Sequence, residues 1–305
     1  MASPTVLVST WSNGLFVYAD GGVHQELPGQ RVEGLASDGR GGALAIVGQG
    51  SLRRRSRSGT WSTLAEGELE LVCGVAIAAT VYVGTQDVHV LRVAENGGFE
   101  AVPAFDAVAG RDKWYAGGPP LGVRSMSATC DQTTLLVNVH VGGIPRSSDG
   151  GATWQPTIDI DTDVHQVCAH PSRPNVVVAA AAVGLCISRD GGLTWAIEHA
   201  GLHACYCSAV AFAGDDVLVA ASSDHFAKQG AVYRRSLDGN GPMRPVEGGL
   251  PRWLGGIADT GNIAASGSCV AVADHSGNLY LSQDAGSTWS HVASNLAGPS
   301  SVFVH

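Results

Sequence analysis

The chain has 305 residues, 45% of them hydrophobic and 15% charged, which excludes a disordered chain and is enough to bury a large core. Its formal net charge of −9 argues against a nucleic-acid-binding surface, so we expect no nucleic-acid partner. There is no run of about 18 apolar residues and no signal-peptide pattern near Met1, so we expect neither a membrane span nor export.

The cysteines bear on the compartment. There are 7, an odd number, and they stand in apolar surroundings, as Cys73 and Cys186 illustrate. Thiols in such surroundings are typical of buried, reduced cysteines, whereas structural disulfides belong mainly to oxidising compartments. We therefore expect reduced, buried thiols and a cytoplasmic protein.

One pattern, S-x-D-x-G-x-T-W, recurs along the chain. It is complete at 147–154, 188–195 and 282–289, and weaker copies stand at 20–22, 56–61, 96–98 and 236–239. The Asp and Ser side chains would bond to the backbone of a turn, Gly permits a left-handed turn, and Trp packs between layers. The spacing fits a repeat of about 41–47 residues, which is in the size range of a propeller blade.

These residues resemble the Asp-box (BNR) repeat of sialidase-like β-propellers, in the WD40-YVTN-BNR-like superfamily. In that family the box joins the two outer strands of each blade, so the resemblance implies a β-propeller. Between the boxes, short apolar runs alternate with turns and show no helical period. Four strands per repeat are typical of a propeller blade.

We expect a single all-β domain over residues 1–305, a seven-bladed β-propeller with four-stranded blades. In chain order, six blades lie near 29–67, 68–110, 111–161, 162–201, 202–249 and 250–296. The segments 297–305 and 4–28 each lack the strands for a complete blade. We therefore expect the C-terminal strand to pair into the N-terminal blade and close the ring, which removes exposed strand edges.

Several histidines fall on one face of such a propeller. His140 and His275 precede the Asp of their boxes by the same number of residues, His225 lies in an inserted loop at 222–228, and His165 is near the start of an innermost strand. Neutral imidazoles are the commonest ligands of divalent transition metals. The sequence therefore predicts a zinc or iron ion at His140, His165, His225 and His275. Five further histidines are expected on the surface: His24, His89, His170, His199 and His291.

Other side chains would share this mouth and act on a small-molecule substrate. The predicted catalytic residues are Arg124, Tyr206 and Glu33. The predicted substrate-binding residues are Trp11, Trp114, Trp253 and His203. Arg124 would hold a substrate carboxylate through paired hydrogen bonds. A wet channel entrance also gathers polar side chains without any ligand, and this alternative stays open.

An acidic run precedes one of these histidines. It contains Asp159, Asp161 and Asp163 and lacks the glycine turn and the distal Glu of a calcium-binding EF-hand loop. We expect a solvated loop. One of these carboxylates would alternatively serve as a general base at the mouth.

Three classes of function are compatible with these features. We favour a small-molecule hydrolase or lyase, because a bare scaffold does not need His, Arg and aromatic residues on one face. The alternative is a non-catalytic scaffold, or a propeller that binds a ligand or peptide. The resemblance also implies a sialidase-like glycoside hydrolase. Sialidases, however, use an arginine triad and usually six blades, whereas this mouth offers Arg124 and Arg252 with no evident third arginine. The oligomeric state is left open.

Overall fold

The structure is a computed structural model that describes residues 4–115 and 121–305. It is an all-β, seven-bladed β-propeller whose blades are four-stranded antiparallel sheets, which confirms the predicted fold. In these residues helix is confined to α1 (Pro103–Asp106) and to two 3-10 turns, Arg111–Lys113 and Ile160–Thr162. None of the helices described is long and apolar enough to cross a membrane. Residues 1–3 and 116–120 of the predicted domain lie outside the described residues.

The strands are short and follow the chain without long interruptions. The first fifteen are β1 (Val6–Thr10), β2 (Leu15–Ala19), β3 (Gly22–Glu26), β4 (Val32–Ser37), β5 (Ala43–Val47), β6 (Ser51–Arg55), β7 (Trp61–Glu66), β8 (Leu71–Ile77), β9 (Thr80–Thr85), β10 (Val90–Val93), β11 (Phe99–Ala101), β12 (Val123–Ala128), β13 (Leu135–Val139), β14 (Pro145–Ser147) and β15 (Gln155–Pro156). The others are β16 (Val164–Ala169), β17 (Val177–Ala181), β18 (Gly184–Ser188), β19 (Ala196–Glu198), β20 (Tyr206–Ala213), β21 (Asp216–Ser222), β22 (Gln229–Ser236), β23 (Arg244–Pro245), β24 (Leu254–Gly255), β25 (Ile263–Ser266), β26 (Cys269–Ala273), β27 (Leu279–Ser282), β28 (Ser290–Ala293) and β29 (Pro299–Val304).

Every blade is an antiparallel meander, and in six of them the strands are consecutive in the chain. Six blades are β4–β7, β8–β11, β12–β15, β16–β19, β20–β23 and β25–β28, and β24 adds to the fifth of these by pairing with β22. The seventh has the order β29-β1-β2-β3. The predicted pairing of the C-terminal strand with the N-terminal blade is therefore confirmed.

Hydroxyl groups reinforce the joint between β29 and β1. Val6 lies opposite Val304 and Val8 opposite Val302, so apolar residues face each other across the pair. The buried Ser9 hydroxyl bonds to the Ser301 hydroxyl at 2.7 Å. Buried polar groups are costly without partners, and these bonds satisfy them while the pairing covers the edge of β1.

The contacts divide the chain into two compact units. The first unit contains Met1–Glu33, Ala182–Leu185 and Glu198–His305, and the second contains Gly34–Ala181 and Cys186–Ile197. The core of the first unit includes a cluster around Leu218 and Val270. The second unit has a cluster in which Phe105 and Leu135 are buried.

In several blades the strand beside the innermost strand is fully buried. β5, β13, β17 and β26 are buried along their whole length. They show apolar runs rather than alternation because both faces are packed, and their Ala and Val side chains allow close packing of the layers. The outermost strands β3 and β15 are mostly exposed.

The three complete repeat copies, which we call Asp boxes, form the same turn. Ser147 donates its hydroxyl to Asp149 Oδ1 at 2.8 Å. Asp149 accepts the backbone N–H of Thr153 at 2.9 Å and its hydroxyl at 2.5 Å. The same bonds recur around Asp190 and Asp284. The polar side chains of the boxes therefore form hydrogen bonds within their own turns and stabilise the turn geometry.

The cysteines differ in burial. Cys73, Cys186, Cys207 and Cys269 are buried, Cys130 and Cys168 are half-buried, and Cys205 is exposed. The expectation of buried thiols is therefore wrong for Cys205, which lies in the loop that precedes β20.

Candidate functional site

Three side chains that can bind a metal meet in the second unit. His140 follows β13, Asp163 follows the 3-10 turn Ile160–Thr162, and His165 is the second residue of β16. Their ligand atoms all lie within 4.8 Å of one another. We call this group the His–Asp–His cluster.

The carboxylate lies between the two imidazoles. His140 Nε2 is 3.5 Å from Asp163 Oδ1, and His165 Nε2 is 3.6 Å from Asp163 Oδ2. The imidazole rings are stacked, with centroids 6.4 Å apart. Two nitrogen ligands and one oxygen ligand thus converge on one small volume.

Burial distinguishes the three groups. His165 is 0% exposed and His140 5% exposed, while 29% of the Asp163 side chain is accessible. The cluster is therefore fixed in the protein by its imidazoles, and solvent reaches part of the Asp163 side chain but not its Oδ1. A site open on one side is what binding of a further molecule requires.

Irregular backbone places these side chains. The β12–β13 register shifts between Val123 and Ser125, and the β16–β17 register shifts between Val164 and Gln166. Arg124 and His165 are therefore the residues of two β-bulges, features that re-aim side chains and are frequent beside functional sites.

Two residues of the cluster's backbone have positive φ. Val141, next to His140, has φ 47°, and Asp163 has φ 49°. Asp tolerates this conformation, but for a β-branched residue such as Val it is a genuine outlier that costs on the order of 1–3 kcal/mol. The Val141 turn is held by a bond from Gly142 N to Val139 O at 3.0 Å. Such strain is found where the surrounding structure fixes a functional geometry.

The electrostatics favour an ionised carboxylate. The contact with His165 is the largest cause that lowers the pKa of Asp163 from its usual value. Burial acts in the opposite direction, and the charges of His165, His140 and Arg124 add to the lowering. Asp163 is therefore a carboxylate at neutral pH, the form that ligates metals.

This donor set suits zinc or ferrous iron. Both metals are bound by imidazole nitrogen and carboxylate oxygen, and two His with one carboxylate is a known arrangement for iron with open positions. Metal bonds of about 2.0–2.2 Å place ligand atoms about 3–3.5 Å apart. The two His–Asp distances, 3.5 and 3.6 Å, are close to that range. Small side-chain movements would complete the site.

The structure brings together two of the four histidines predicted as metal ligands, His140 and His165. His225 lies in the first unit with its ring 4.9 Å from Phe226. His275, also in the first unit, is exposed, and its backbone N–H donates to the backbone carbonyl oxygen of Ile257 at 3.0 Å. A role for His225 and His275 in metal binding stays a prediction.

The predicted catalytic residues have different surroundings. Arg124 is half-buried near Asp163, and Tyr206 is the half-buried first residue of β20. Glu33 is 2% exposed and pairs with Arg31 at 2.6 Å, and the Arg31 guanidinium lies 5.2 Å from the Trp11 ring. Catalytic roles for these residues stay predictions.

The predicted substrate-binding aromatics are also in distinct places. In the second unit, Trp114 packs against Phe105 with ring centroids 5.9 Å apart, so much of its surface is used in the core. In the first unit, His203 and Trp253 form a T-shaped pair with ring centroids 4.9 Å apart. Trp11 is 48% exposed and Trp253 41% exposed. Contact with a substrate remains a prediction for all four.

The position of Asp163 between two imidazoles was not predicted from the sequence. The acidic run was expected to be a solvated loop, and two of its members do serve the loop: Asp159 caps Asp161 N at 2.9 Å, and Asp161 accepts the Tyr115 hydroxyl at 3.1 Å. Asp163 differs because its carboxylate lies between the imidazoles of His140 and His165. Asp163 precedes β16 and has positive φ, and His165 fills a bulge, so strand alternation could not have revealed this arrangement.

His170 was expected on the surface and is 2% exposed instead. Its Nδ1 accepts the backbone N–H groups of Ser172 and Arg173, both at 3.1 Å. The ring therefore caps a turn. This is a structural role that occupies Nδ1, so this nitrogen is not available to a ligand.

Comparisons with known proteins bear on the fold. No family model matches the chain, and no curated protein matches it. The chain is similar to the solved structure of U3-55K, with TM-score 0.57 and 12% identity over 86% of this chain and 81% of that chain. It is also similar to the extracellular domain of the putative hybrid two component system BT4673 from B. thetaiotaomicron, with TM-score 0.59 and 13% identity over 85% of this chain and 33% of that chain.

Identities of this size support the fold alone. The fold and the site together define a seven-bladed β-propeller with a His–Asp–His cluster whose ligand atoms lie within 4.8 Å of one another.

Proposed function

We propose that this propeller binds a divalent transition metal, zinc or iron, through His140, Asp163 and His165. The observation that carries the proposal is the convergence of these ligand atoms within 4.8 Å from separate segments of the chain. Chance clusters of acidic groups are common on surfaces, but here two of the three ligands are buried imidazoles. Buried imidazoles beside an ionised carboxylate form a donor set of the composition that these metals prefer.

We further propose that the site serves a hydrolase or lyase reaction on a small molecule. Three protein ligands leave a coordination position open, as catalytic metal sites do. A metal there would polarise a carbonyl group or lower the pKa of a bound water. The chain itself contributes Arg124, whose charge acts on Asp163 and would attract a substrate carboxylate.

Metal content tests the first step. The purified protein is expected to hold one zinc or iron per chain by elemental analysis. His165→Ala is expected to weaken binding by about 100-fold or more, a larger loss than removal of an outer-shell partner causes. His89→Ala is the matched control, since His89 is a histidine of the same unit whose partner is the surface residue Asp106, and it should retain the metal.

The competing interpretation is a ligand-binding propeller without catalysis. In that case the His–Asp–His cluster is a metal-free ion network, since the carboxylate already lies within 3.6 Å of both imidazoles. Protein that binds neither zinc nor iron after chelation and titration would support this interpretation and contradict the metal site. Protein that binds metal but turns over none of a panel of esters, lactones and hydroxy acids would contradict the hydrolase or lyase step alone.

A further inference from the structure

A second cluster, in the first unit, has a buried tyrosine at its centre. Tyr233 in β22 is 1% exposed, and its hydroxyl is surrounded by three polar groups that belong to two residues. The backbone N–H of His203 lies at 3.1 Å, His203 Nδ1 at 2.8 Å and Arg252 Nη2 at 3.0 Å. Trp253 completes the group, which we call the Tyr233 cluster.

The hydrogen bonds of Tyr233 determine the tautomer of His203. A backbone N–H and a guanidinium N–H can only donate, so the Tyr233 oxygen accepts both of these bonds. The hydroxyl proton is then donated to His203 Nδ1, which must be unprotonated. His203 is consequently neutral and carries its proton on Nε2. Burial and the charge of Arg252 both lower the pKa of His203, which agrees with a neutral ring.

Aromatic rings hold the guanidinium in place. Arg252 lies 4.4 Å from the centroid of Trp253 and 5.3 Å from that of Tyr233, both within the range of cation–π contacts. In the part of the chain that the structure describes, no carboxylate pairs with Arg252. Only one of its N–H groups is used by Tyr233, so the rest of this planar donor group remains for another acceptor.

The exposed polar groups of the Tyr233 cluster are all hydrogen-bond donors. Arg252, His203 and Trp253 are all exposed, and the polar groups that they offer are N–H donors. A set of donors around an uncompensated positive charge is complementary to an oxyanion. Trp253 adds an exposed apolar ring next to these donors.

We propose that the Tyr233 cluster binds a small molecule in which a carboxylate or phosphate group stands next to a planar or apolar part. Arg252 and the Nε2–H of His203 bind the oxyanion, and the Trp253 ring contacts the apolar part. Tyr233 does not touch the ligand and is a positioning residue for both donors. The proposal is independent of the metal site, because none of its residues belongs to the His–Asp–His cluster.

Binding can be measured by calorimetry on the full chain, with a chelator present so that no metal contributes. Benzoate and phenyl phosphate are the two oxyanion probes, and benzyl alcohol is the uncharged probe. We expect binding of at least one oxyanion in the millimolar range or tighter and no binding of benzyl alcohol. The stronger of the two anions identifies the ligand class as carboxylate or phosphate.

Variants separate the cluster from general charge. Arg252→Gln is expected to lower the affinity by about tenfold or more, because it removes a charge-assisted hydrogen bond. Arg244→Gln removes the same charge from an exposed strand position of the same unit and should leave the affinity unchanged. Tyr233→Phe keeps the ring and should both weaken binding and move the His203 proton between its nitrogens, a change that NMR detects.

The proposal is wrong if neither anion binds in the millimolar range, or if benzyl alcohol binds as tightly as they do. Equal losses in Arg252→Gln and Arg244→Gln would also overturn it, since the effect would then be general attraction to positive charge. Arg252 is exposed, so unfolding is not expected to obscure the Arg252→Gln result.

Discussion

Arg124 and His165 occupy the same position in successive blades: each is the residue at which the register of the innermost strand shifts. The strands that carry them, β12 and β16, are in contact. In β8 and β20 the corresponding shifts fall at Val72 and Ser208. The bulge therefore recurs in four blades, and the residue that fills it decides whether the position is apolar, polar or charged. Placing Arg and His at two adjacent bulges gives the second unit its polar site.

Metal binding should stabilise the protein. A ligand that binds only the folded state at about 100 times its Kd stabilises by about 2.7 kcal/mol. We expect zinc to raise the melting temperature of the natural protein accordingly. Asp163→Asn should lose most of this gain, whereas Asp161→Asn, from the same acidic run, should keep it. Thermal unfolding with and without zinc measures both, and an equal gain in the two variants would contradict the assignment of Asp163.

The pKa of His203 should respond to Arg252. Burial is the largest cause that lowers this pKa from its ordinary value of 6.5, and the positive charge of Arg252 is the second. Both disfavour the protonated ring. Arg252→Gln removes the second cause, so the titration midpoint should rise towards 6.5 without reaching it. An NMR titration of labelled histidine measures this. An unchanged midpoint would mean that Arg252 does not act on His203.

The Asp boxes should make stability depend on pH in the acid range. The pKa is about 2 at Asp149, Asp190 and Asp284. Hydrogen bonds from Thr153 and Thr288 are the main causes at the first and last. At Asp190 burial acts in the opposite direction, but the bonds from Thr194 prevail.

The direction of this pH dependence follows from the lowered pKa values of the three aspartates. The stabilisation is present above the ordinary value of 3.8 and is lost as the pH falls from there towards about 2. Urea unfolding should therefore give a lower free energy of unfolding midway between these two values than at neutral pH in the natural protein. Asp190→Asn should show a smaller decrease. Asp87→Asn, at an exposed site outside the boxes, should show the same decrease as the natural protein. Equal losses in all three proteins would contradict this role of Asp190.

Neighbouring glycines of one box should differ in tolerance. Gly191 has φ 72° and Gly192 has φ 87°, so alanine is strained at either. An added Cβ at Gly191 meets nothing closer than 3.8 Å, whereas at Gly192 it would lie 2.6 Å from Leu136 Cδ2. We expect Gly191→Ala to cost about 1–2 kcal/mol of unfolding free energy. Gly192→Ala should cost about 1–3 kcal/mol more through overpacking.

The last Asp box supports the smaller cost expected for Gly191→Ala. In the last box Ala285 stands where the second box has Gly191, and it adopts φ 56°. Chemical denaturation of the two variants measures the difference. A cost for Gly191→Ala as large as that for Gly192→Ala would show that packing against Leu136 is not the deciding factor.

The fold was predictable because its signals are local. An Asp box makes its hydrogen bonds within a few residues, as Asp149 does with Ser147 and Thr153, so each copy can be recognised from the sequence alone. The closing strand could be inferred because β29 was left over once the other blades were assigned. The helix Pro103–Asp106 was not predicted, since four residues are too few to show a helical period.

The site was only partly predictable because it depends on the bulges. A bulge adds a residue that strand alternation does not reveal, so the direction of the His165 side chain could not be read from the sequence. The positive φ of Asp163, which brings its carboxylate between two imidazoles, is likewise a tertiary effect. In the Tyr233 cluster, His203 contacts Tyr233, which lies 30 positions further along the chain, through a buried hydroxyl that no local sequence pattern marks.

Anomalous diffraction at the zinc and iron absorption edges, from crystals grown with each metal, tests the central claim most directly. We predict one peak between His140, Asp163 and His165, with a nitrogen from each imidazole and an oxygen from the carboxylate at about 2.0–2.2 Å and an open coordination position. Crystals that show no peak at these side chains at either edge, with the His140–Asp163 and His165–Asp163 contacts unchanged, would contradict the metal site.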